Sequence, residues 1–255
     1  MFDVSVICQE IDRGLLAFIK NINSEKSIRI KRIIVAPFCE MHALRRQQIK
    51  NRSVILNGST NTLHHKFWKQ IVLIFKKLFI IKIIFKILLI FENRKNGLDV
   101  FYADENWDFH DKEIYEDTAI IYSLEGLLTE VVIHKFVNGI INIHPAILPD
   151  YRGLDASLWA LYENEGLGVT SYVVNKGIDT GSIIKRFPLN ISANLTILNY
   201  LSELKKLKYK SYTESIIKHC QNEMENDSPM ISRSQNRGVM PKEVLTELIT
   251  KYGTI

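Results

Sequence analysis

The 255-residue sequence has only three cysteines, which lie far apart at Cys8, Cys39 and Cys220. This spacing fits neither a zinc site nor a disulfide framework, so we expect reduced thiols in a cytoplasmic protein. The amino terminus has no basic segment followed by an apolar core, so the sequence predicts no signal peptide. The sequence also lacks internal repeats, which excludes a repeat architecture.

Neither basic nor acidic residues dominate the composition, with 33 Lys and Arg against 28 Asp and Glu. The formal net charge is +5, 46% of the residues are hydrophobic and 24% are charged. These fractions are typical of a globular protein and not of a disordered or fibrous one. The small positive charge suits an anionic ligand, a membrane surface or a nucleic acid equally, so it selects none of them.

No apolar run in the sequence is long enough to cross a bilayer, not even within the most apolar stretch, residues 66–91. This stretch contains six lysines and no acidic residue. Its lysine-free runs fall short of the about 20 residues that a membrane span requires. A helix packed on the domain with its lysine heads in water fits the pattern, and so does a helix on a membrane surface. An exposed apolar strip here predicts contact with an anionic membrane or a second copy of the chain.

Short apolar segments that alternate with helical patterns predict an α/β fold with a mainly parallel sheet. The expected strands are residues 3–8, 32–37, 100–102, 118–123, 139–144, 169–174 and 182–191. The expected helices are residues 14–22, 129–136, 154–163, the region from residue 195 onward, and 242–251.

A densely acidic segment, residues 103–117, separates two of the expected strands. Asp104, Asp108, His110 and Asp111 raise the question of a metal site. No known ligand spacing fits them and the glycine of a calcium loop is missing, so we predict no metal. We expect a solvated loop that leads into a helix.

Two polar residues, Asn142 and His144, end an otherwise apolar strand. Their spacing of two places both side chains on the same face, while Ile141 and Ile143 point to the other. Pro145 follows directly, so the pair lies at the carboxyl end of the strand, where open α/β sheets form their ligand crevices. A lone histidine here would suggest a hydrogen-bonded core residue, but two polar side chains on one face indicate a site.

A second polar element is the turn at residues 177–181, Gly-Ile-Asp-Thr-Gly. Its glycines permit a tight turn, and Asp179 lies between them. On its own Asp179 is an ordinary turn aspartate. It becomes a candidate site residue only if the fold brings it against His144.

The motifs resemble those of the folate-dependent formyltransferases. They are Asn-Ile-His-Pro-Ala-Ile-Leu-Pro at residues 142–149, Tyr-Arg-Gly at 151–153 and Gly-Ile-Asp-Thr-Gly at 177–181. The resemblance is dense from about residue 120 to residue 191 and thin before it. Many family members have a serine where this sequence has Ala146, and residues 66–91 are not part of the family pattern.

The resemblance implies a Rossmann-like formyltransferase domain over residues 1–192, with a short helical C-terminal extension over 193–255. It also implies 10-formyltetrahydrofolate as the formyl donor. The catalytic residues it implies are Asn142, His144 and Asp179. The residues it implies for binding the pterin ring are Leu124, Glu125, Gly126, Leu127, Leu128, Gly177, Ile178 and Thr180.

The acceptor is narrowed by comparing the branches of the family. The turn after the first strand is acidic with one glycine, which makes a poor phosphate cradle and disfavours the glycinamide ribonucleotide branch. The short helical tail disfavours the transfer RNA enzyme with its C-terminal barrel. A nucleotide-linked amino sugar for surface polysaccharide synthesis is therefore the expected acceptor. Tyr151 and Arg152 are candidate substrate contacts, although Arg152 could instead anchor its loop.

Two alternatives to a sugar N-formyltransferase stay open. One is an enzyme that resembles methionyl-tRNA formyltransferase. The other is a catalytically inactive, membrane-associated scaffold, which the intact trio of Asn142, His144 and Asp179 argues against. A nucleic-acid binder is disfavoured because neither an aromatic platform nor a glycine-rich RNA motif is present.

Overall fold

The computed structural model describes residues 1–37, 97–124, 126–191, 195–225 and 236–253. The lysine-rich stretch 66–91 and the predicted pterin residue Glu125 lie outside the described residues, and so does Cys39. Within the ranges described, no helix combines the length and the apolarity needed to cross a membrane.

A seven-stranded sheet has the order β3-β2-β1-β4-β5-β7-β8. The first five of these strands are parallel; β7 runs antiparallel to β5, and β8 runs antiparallel to β7 and so in the direction of the first five. The mainly parallel sheet is therefore confirmed, with the strand order typical of a Rossmann-like half. Its strands are β1 (Phe2–Cys8), β2 (Ile28–Val35), β3 (Asp99–Tyr102), β4 (Thr118–Ser123), β5 (Ile140–His144), β7 (Gly168–Val173) and β8 (Ile183–Pro188).

A small second sheet pairs two segments that are distant in sequence. Strand β6 (Arg152–Gly153) follows β5, and strand β9 (Asn236–Arg237) comes from the C-terminal region. The sequence does not predict this pairing, because each strand has only two residues.

The helices pack against the sheet. They are α1 (Arg13–Ile22), α2 (Glu130–Lys135), α3 (Ala156–Glu163), α4 (Ile197–Cys220) and α5 (Lys242–Tyr252), with a 3-10 helix at Lys112–Tyr115. Helices α1, α2 and α4 begin at side-chain caps: Asp12, Thr129 and Thr196 each accept a backbone N–H from the first turn. These caps satisfy backbone N–H groups that have no partner within the helix and so fix where each helix begins.

The helices after residue 193 share one hydrophobic core with the sheet. Leu204, Tyr212 and Ile216 of α4 belong to the same buried cluster as Val6 and Ile141 on the strands. The Tyr212 hydroxyl also donates to the backbone carbonyl of Ile121 within β4. The C-terminal helices therefore do not form a separate core beyond residue 192.

The acidic segment is less solvated than the sequence suggests. Trp107 and Phe109 are 4% and 6% exposed, and they pack with Phe136 and Tyr115. The expectation of a simple solvated loop is corrected here, because buried aromatic rings anchor the segment to the sheet. The expected helix is only the short 3-10 turn.

Candidate active site

Asn142 and His144 lie at the carboxyl end of β5, as the sequence predicts. Ile141 and Ile143 are 0% and 1% exposed and pack in the core on the opposite face. His144 is 4% exposed and Asn142 is half-buried. The alternation of the strand therefore presents two polar side chains on one face, next to the end of β4.

The His144 ring is held by an oxygen at each nitrogen. Its Nε2 lies 2.7 Å from the carbonyl oxygen of Tyr151. Its Nδ1 lies 3.3 Å from Oδ2 of Asp179, so the predicted proximity of Asp179 and His144 is confirmed. A carbonyl can only accept, and so can an ionised carboxylate. The doubly protonated imidazolium is therefore the form that satisfies both contacts.

Asp179 is partly buried, and two further hydrogen bonds stabilise its carboxylate. Its Oδ2 accepts the backbone N–H of Gly153 at 2.8 Å, and its Oδ1 accepts the hydroxyl of Tyr172 at 2.9 Å. Burial opposes ionisation of Asp179, but the hydrogen bonds from His144, Gly153 and Tyr172 outweigh it, so the pKa is lowered from its ordinary value. The site therefore holds a carboxylate anion against the imidazole.

Tyr172 is a site residue that the sequence analysis missed. It lies on β7, directly opposite Asn142 in the antiparallel pair, and it is 4% exposed. The Asn142 amide donates to the Tyr172 hydroxyl at 3.0 Å, and that hydroxyl donates to Asp179. Burial, together with the nearby Asp179 charge, raises the pKa of Tyr172, so the hydroxyl keeps the proton that it donates. The register of β7 against β5 identifies Tyr172 as a site residue, and the sequence alone does not show that register.

Asn175 shapes the turn that carries Asp179. Its side-chain oxygen accepts from the Gly177 N–H and the Thr180 hydroxyl, and its amide donates to the Thr180 carbonyl. Asp179 itself has a φ of 50°, a left-handed conformation that costs free energy for a residue other than glycine. A Cβ on Gly181 would lie 1.6 Å from a backbone oxygen of β7, so only glycine allows the turn this close.

The residues predicted to bind the pterin ring have mixed exposure. Leu124 and Leu128 are partly buried and pack against the buried cluster that contains Ile121 of β4. Leu127 and Ile178 expose apolar side chains, 74% and 37% respectively. Gly126 lies in the loop after β4, and Gly177 and Thr180 lie in the turn that carries Asp179.

The two predicted substrate contacts differ in their surroundings. Tyr151 is 3% exposed, and its hydroxyl donates to Glu163 at 2.8 Å. Its side chain therefore supports the loop from within, while its carbonyl contacts His144. Arg152 is half-buried on β6, one residue before the Gly153 N–H that Asp179 accepts.

These features define a class: a Rossmann-like α/β domain with a histidine–carboxylate pair and an amide donor at the carboxyl end of a central strand. Residues 102–216 match the family model described as formyl transferase. This part of the chain is therefore similar to the formyl transferase family.

Sequence relatives agree with this assignment. Methionyl-tRNA formyltransferase of Thermodesulfovibrio yellowstonii is 31% identical over 90 residues, which cover 35% of this chain and 29% of that protein. The chain thus matches less than a third of the length of the curated relatives.

Solved structures share the fold. A sugar N-formyltransferase from Shewanella has a TM-score of 0.55 at 14% identity, covering 98% of this chain and 88% of that one. Phosphoribosylglycinamide formyltransferase from Anaplasma phagocytophilum has a TM-score of 0.54 at 18% identity, covering 84% of each chain. The formyltransferase PseJ of Anoxybacillus kamchatkensis, in complex with a UDP-linked formamido sugar and tetrahydrofolate, has a TM-score of 0.50 at 22% identity, covering 66% and 89%.

Proposed function

We propose that this chain is a folate-dependent N-formyltransferase that moves a formyl group from 10-formyltetrahydrofolate to the amine of a nucleotide-linked amino sugar. The observation that carries the proposal is the contact of His144 with Asp179, next to Asn142, within a formyl transferase domain. No metal and no covalent enzyme intermediate are required.

The side chains fit the charges that develop in this reaction. Attack of a neutral amine on the formyl carbon produces a tetrahedral oxyanion. The positive charge of an imidazolium and an amide N–H stabilise such an anion, which assigns this role to His144 and Asn142. Asn142 uses one amide hydrogen on Tyr172 and has a second to donate. The tetrahedral adduct then collapses, the bond between the formyl carbon and N10 of the folate breaks, and tetrahydrofolate leaves. Asp179, in contact with the imidazole, helps to move the proton of the amine, through water, to the departing N10.

The residues around the site suit a flat ring with polar edges. Exposed apolar side chains at Leu127 and Ile178 would contact the faces of a pterin, because burial of apolar surface is favourable. We assign this role to the loop at residues 124–128 and to Gly177, Ile178 and Thr180 of the turn. Glu125, part of the same prediction, lies outside the described residues.

The turn after β1 argues against an acceptor that binds by a phosphate at this position. The carboxylate of Asp12 accepts the Leu15 N–H at 2.7 Å and so occupies the amino end of α1. A phosphate at the same helix end would meet this negative charge, which is unfavourable. We assign phosphate contact instead to Arg152, beside the site, whose planar guanidinium suits a diphosphate. A substrate contact by Tyr151 would have to use its backbone.

An amino sugar linked to a nucleotide combines an amine with a compact pair of phosphates. The complex of PseJ with a UDP-linked formamido sugar and tetrahydrofolate is a precedent within the same fold. The second candidate acceptor is methionyl-tRNA, which the sequence relatives favour. Cytoplasmic location and peripheral membrane contact stay predictions of the sequence.

The test is a turnover assay with 10-formyltetrahydrofolate against a panel of nucleotide-linked amino sugars and charged initiator tRNA. We expect formylation of at least one sugar and none of the tRNA. The His144→Ala variant should lower kcat on the order of a hundredfold or more, because the positive charge beside the oxyanion is lost. His110→Ala, at an exposed position of the acidic segment, is the matched control and should keep wild-type activity. Faster formylation of tRNA than of every sugar would overturn the acceptor but leave the reaction type standing.

A further inference from the structure

The backbone of the loop at residues 151–155 holds the two central side chains of the site. The Tyr151 carbonyl contacts Nε2 of His144 at 2.7 Å, and the Gly153 N–H donates to Asp179 at 2.8 Å. Whatever positions this backbone therefore sets the orientation of both His144 and Asp179.

A segment from the C-terminal region, residues 236–240, lies directly on this loop. We call it the C-terminal strap. Its strand β9 pairs with β6, and the Leu154 N–H donates to the Arg237 carbonyl at 2.9 Å. The Met240 N–H donates to the Asp155 carboxylate at 2.8 Å. A Cβ on Gly153, which has a φ of +89°, would lie 2.4 Å from the Arg237 carbonyl oxygen, so the strap approaches as closely as glycine permits.

The Arg237 side chain joins the strap to the side chain of Tyr151 in the loop and to helix α3. Its guanidinium lies 5.1 Å from the ring centroids of both Tyr151 and Trp159, within the range of cation–π attraction. It also donates to both carboxylate oxygens of Glu163, and one of these oxygens accepts the Tyr151 hydroxyl as well. The Trp159 indole N–H donates to the Gly238 carbonyl at 3.2 Å, which adds a second link to the strap.

We propose that Arg237 is a positioning residue of the active site and that the C-terminal strap maintains the contact between His144 and Asp179. The connection runs from Arg237 to Tyr151 and Gly153, and from their backbone atoms to the two site residues. An error of about 1 Å in such a constellation can cost on the order of a hundredfold in rate. The kinetic part of this proposal rests on the proposed function, whereas the structural part does not.

The test compares Arg237→Met with Arg29→Met, a matched control. Arg29 also makes a two-pronged ion pair, with Asp3, but at the amino ends of β1 and β2. Methionine keeps an unbranched apolar stem and removes the charge and the hydrogen bonds. The first measurement is hydrogen exchange of the Gly153 and Leu154 amides by NMR, which requires no substrate. The second is kcat, KM for the formyl donor and the pH profile of kcat.

Arg237→Met should accelerate exchange of the two amides by about tenfold or more, because the loop that carries them is no longer held against the strap. It should lower kcat on the order of tenfold and alter its pH profile, with little change in KM. Arg237→Lys, which keeps the charge, should restore part of the protection of the two amides and part of kcat. Arg29→Met should change neither the amide exchange nor kcat. If Arg237→Met does not fold, Glu163→Gln makes the same test, because it removes the ion pair and keeps an acceptor for Tyr151.

Wild-type exchange at Gly153 and Leu154 in Arg237→Met would overturn the proposal. So would a loss of kcat equal to that of Arg29→Met, because it would reflect general destabilisation. If the wild-type chain transfers no formyl group to any acceptor, the proposed function fails, and the exchange measurement still decides whether the strap holds the loop.

Discussion

At the scale of single residues, the site depends on an aspartate whose carboxylate is favoured although the side chain is partly buried. Asp179 receives hydrogen bonds from a backbone N–H, a tyrosine hydroxyl and the histidine ring. Each of these donors favours the charged form. The left-handed backbone at Asp179 shows that the turn is held in this conformation by its surroundings.

The lowered pKa of Asp179 predicts a pH-dependent contribution to stability. Because the folded-state pKa lies below the ordinary value, the carboxylate stabilises the fold above the ordinary carboxyl range, near pH 4. This contribution disappears as the pH falls through the folded-state pKa. The difference in unfolding free energy between wild type and Asp179→Asn should therefore be largest above the carboxyl range and shrink below it. Urea unfolding at several pH values measures this difference, and a constant difference would contradict the prediction.

Tyr172 offers a second prediction at this scale. Tyr172→Phe keeps the ring in the core and removes the hydroxyl that links Asn142 to Asp179. We expect kcat to fall on the order of tenfold, because the amide donor loses its orientation and the carboxylate loses one donor. KM for the acceptor should change little. Tyr162→Phe, which removes an exposed hydroxyl bonded to Glu247, is the control, and equal kcat values in the two variants would remove Tyr172 from the mechanism.

At the scale of elements, an ion pair joins the middle of strands β1 and β2 to the amino end of β4. Arg32 is 1% exposed, and its guanidinium lies 2.6 Å from the carboxylate of Asp117, which is 6% exposed. The Ser5 hydroxyl donates to the same carboxylate oxygen at 2.7 Å. Arg32 also contacts Asp111 and Glu113, so several acceptors surround one buried charge.

Removal of the Asp117 carboxylate should therefore lower the stability of the fold. We expect Asp117→Ala to lower the free energy of unfolding by about 3–5 kcal/mol, because Arg32 and Ser5 lose a buried partner. Asp3→Ala breaks an exposed ion pair near the same end of the sheet and should cost much less. Urea unfolding of both variants makes the comparison, and similar losses would show that the buried pair has no special weight.

At the scale of the whole molecule, the chain combines a region that matches the formyl transferase family, residues 102–216, with an apolar, lysine-rich stretch at residues 66–91. Anionic membrane surfaces attract basic segments, and apolar side chains add to the binding. We therefore predict that residues 66–91 bind an anionic membrane surface. Such a location would suit the proposed role in surface polysaccharide synthesis.

Sedimentation with anionic vesicles at low and high salt tests this hypothesis. We expect the protein to sediment with the vesicles at low salt and to be partly released at high salt, because salt screens the lysine charges. Replacement of Lys76 and Lys77 by glutamate should weaken binding, and neutral vesicles should bind less. A protein that stays in the supernatant under every condition would favour a packed helix or a contact between two copies of the chain.

The sequence by itself determined most of the strand pattern and the place of Asn142 and His144 on one strand. Alternation along residues 139–144 placed Asn142 and His144 on one face, because side chains of a strand alternate with a period of two. The predicted strands differ from those observed mainly at their ends, which depend on pairing and caps more than on local composition. The resemblance to formyltransferases supplied Asp179, which a turn motif alone could not connect to a histidine 35 residues earlier.

Only the tertiary structure decided which residues complete the site. Tyr172 faces Asn142 because β7 runs antiparallel to β5 in one register, and a shift by one residue would turn its ring to the other face. The C-terminal strap meets the loop through two-residue strands and cation–π contacts, which leave no periodic pattern in the sequence. Contacts between distant segments arise from packing of the whole chain, so local composition determines the elements, whereas packing determines how their polar groups meet.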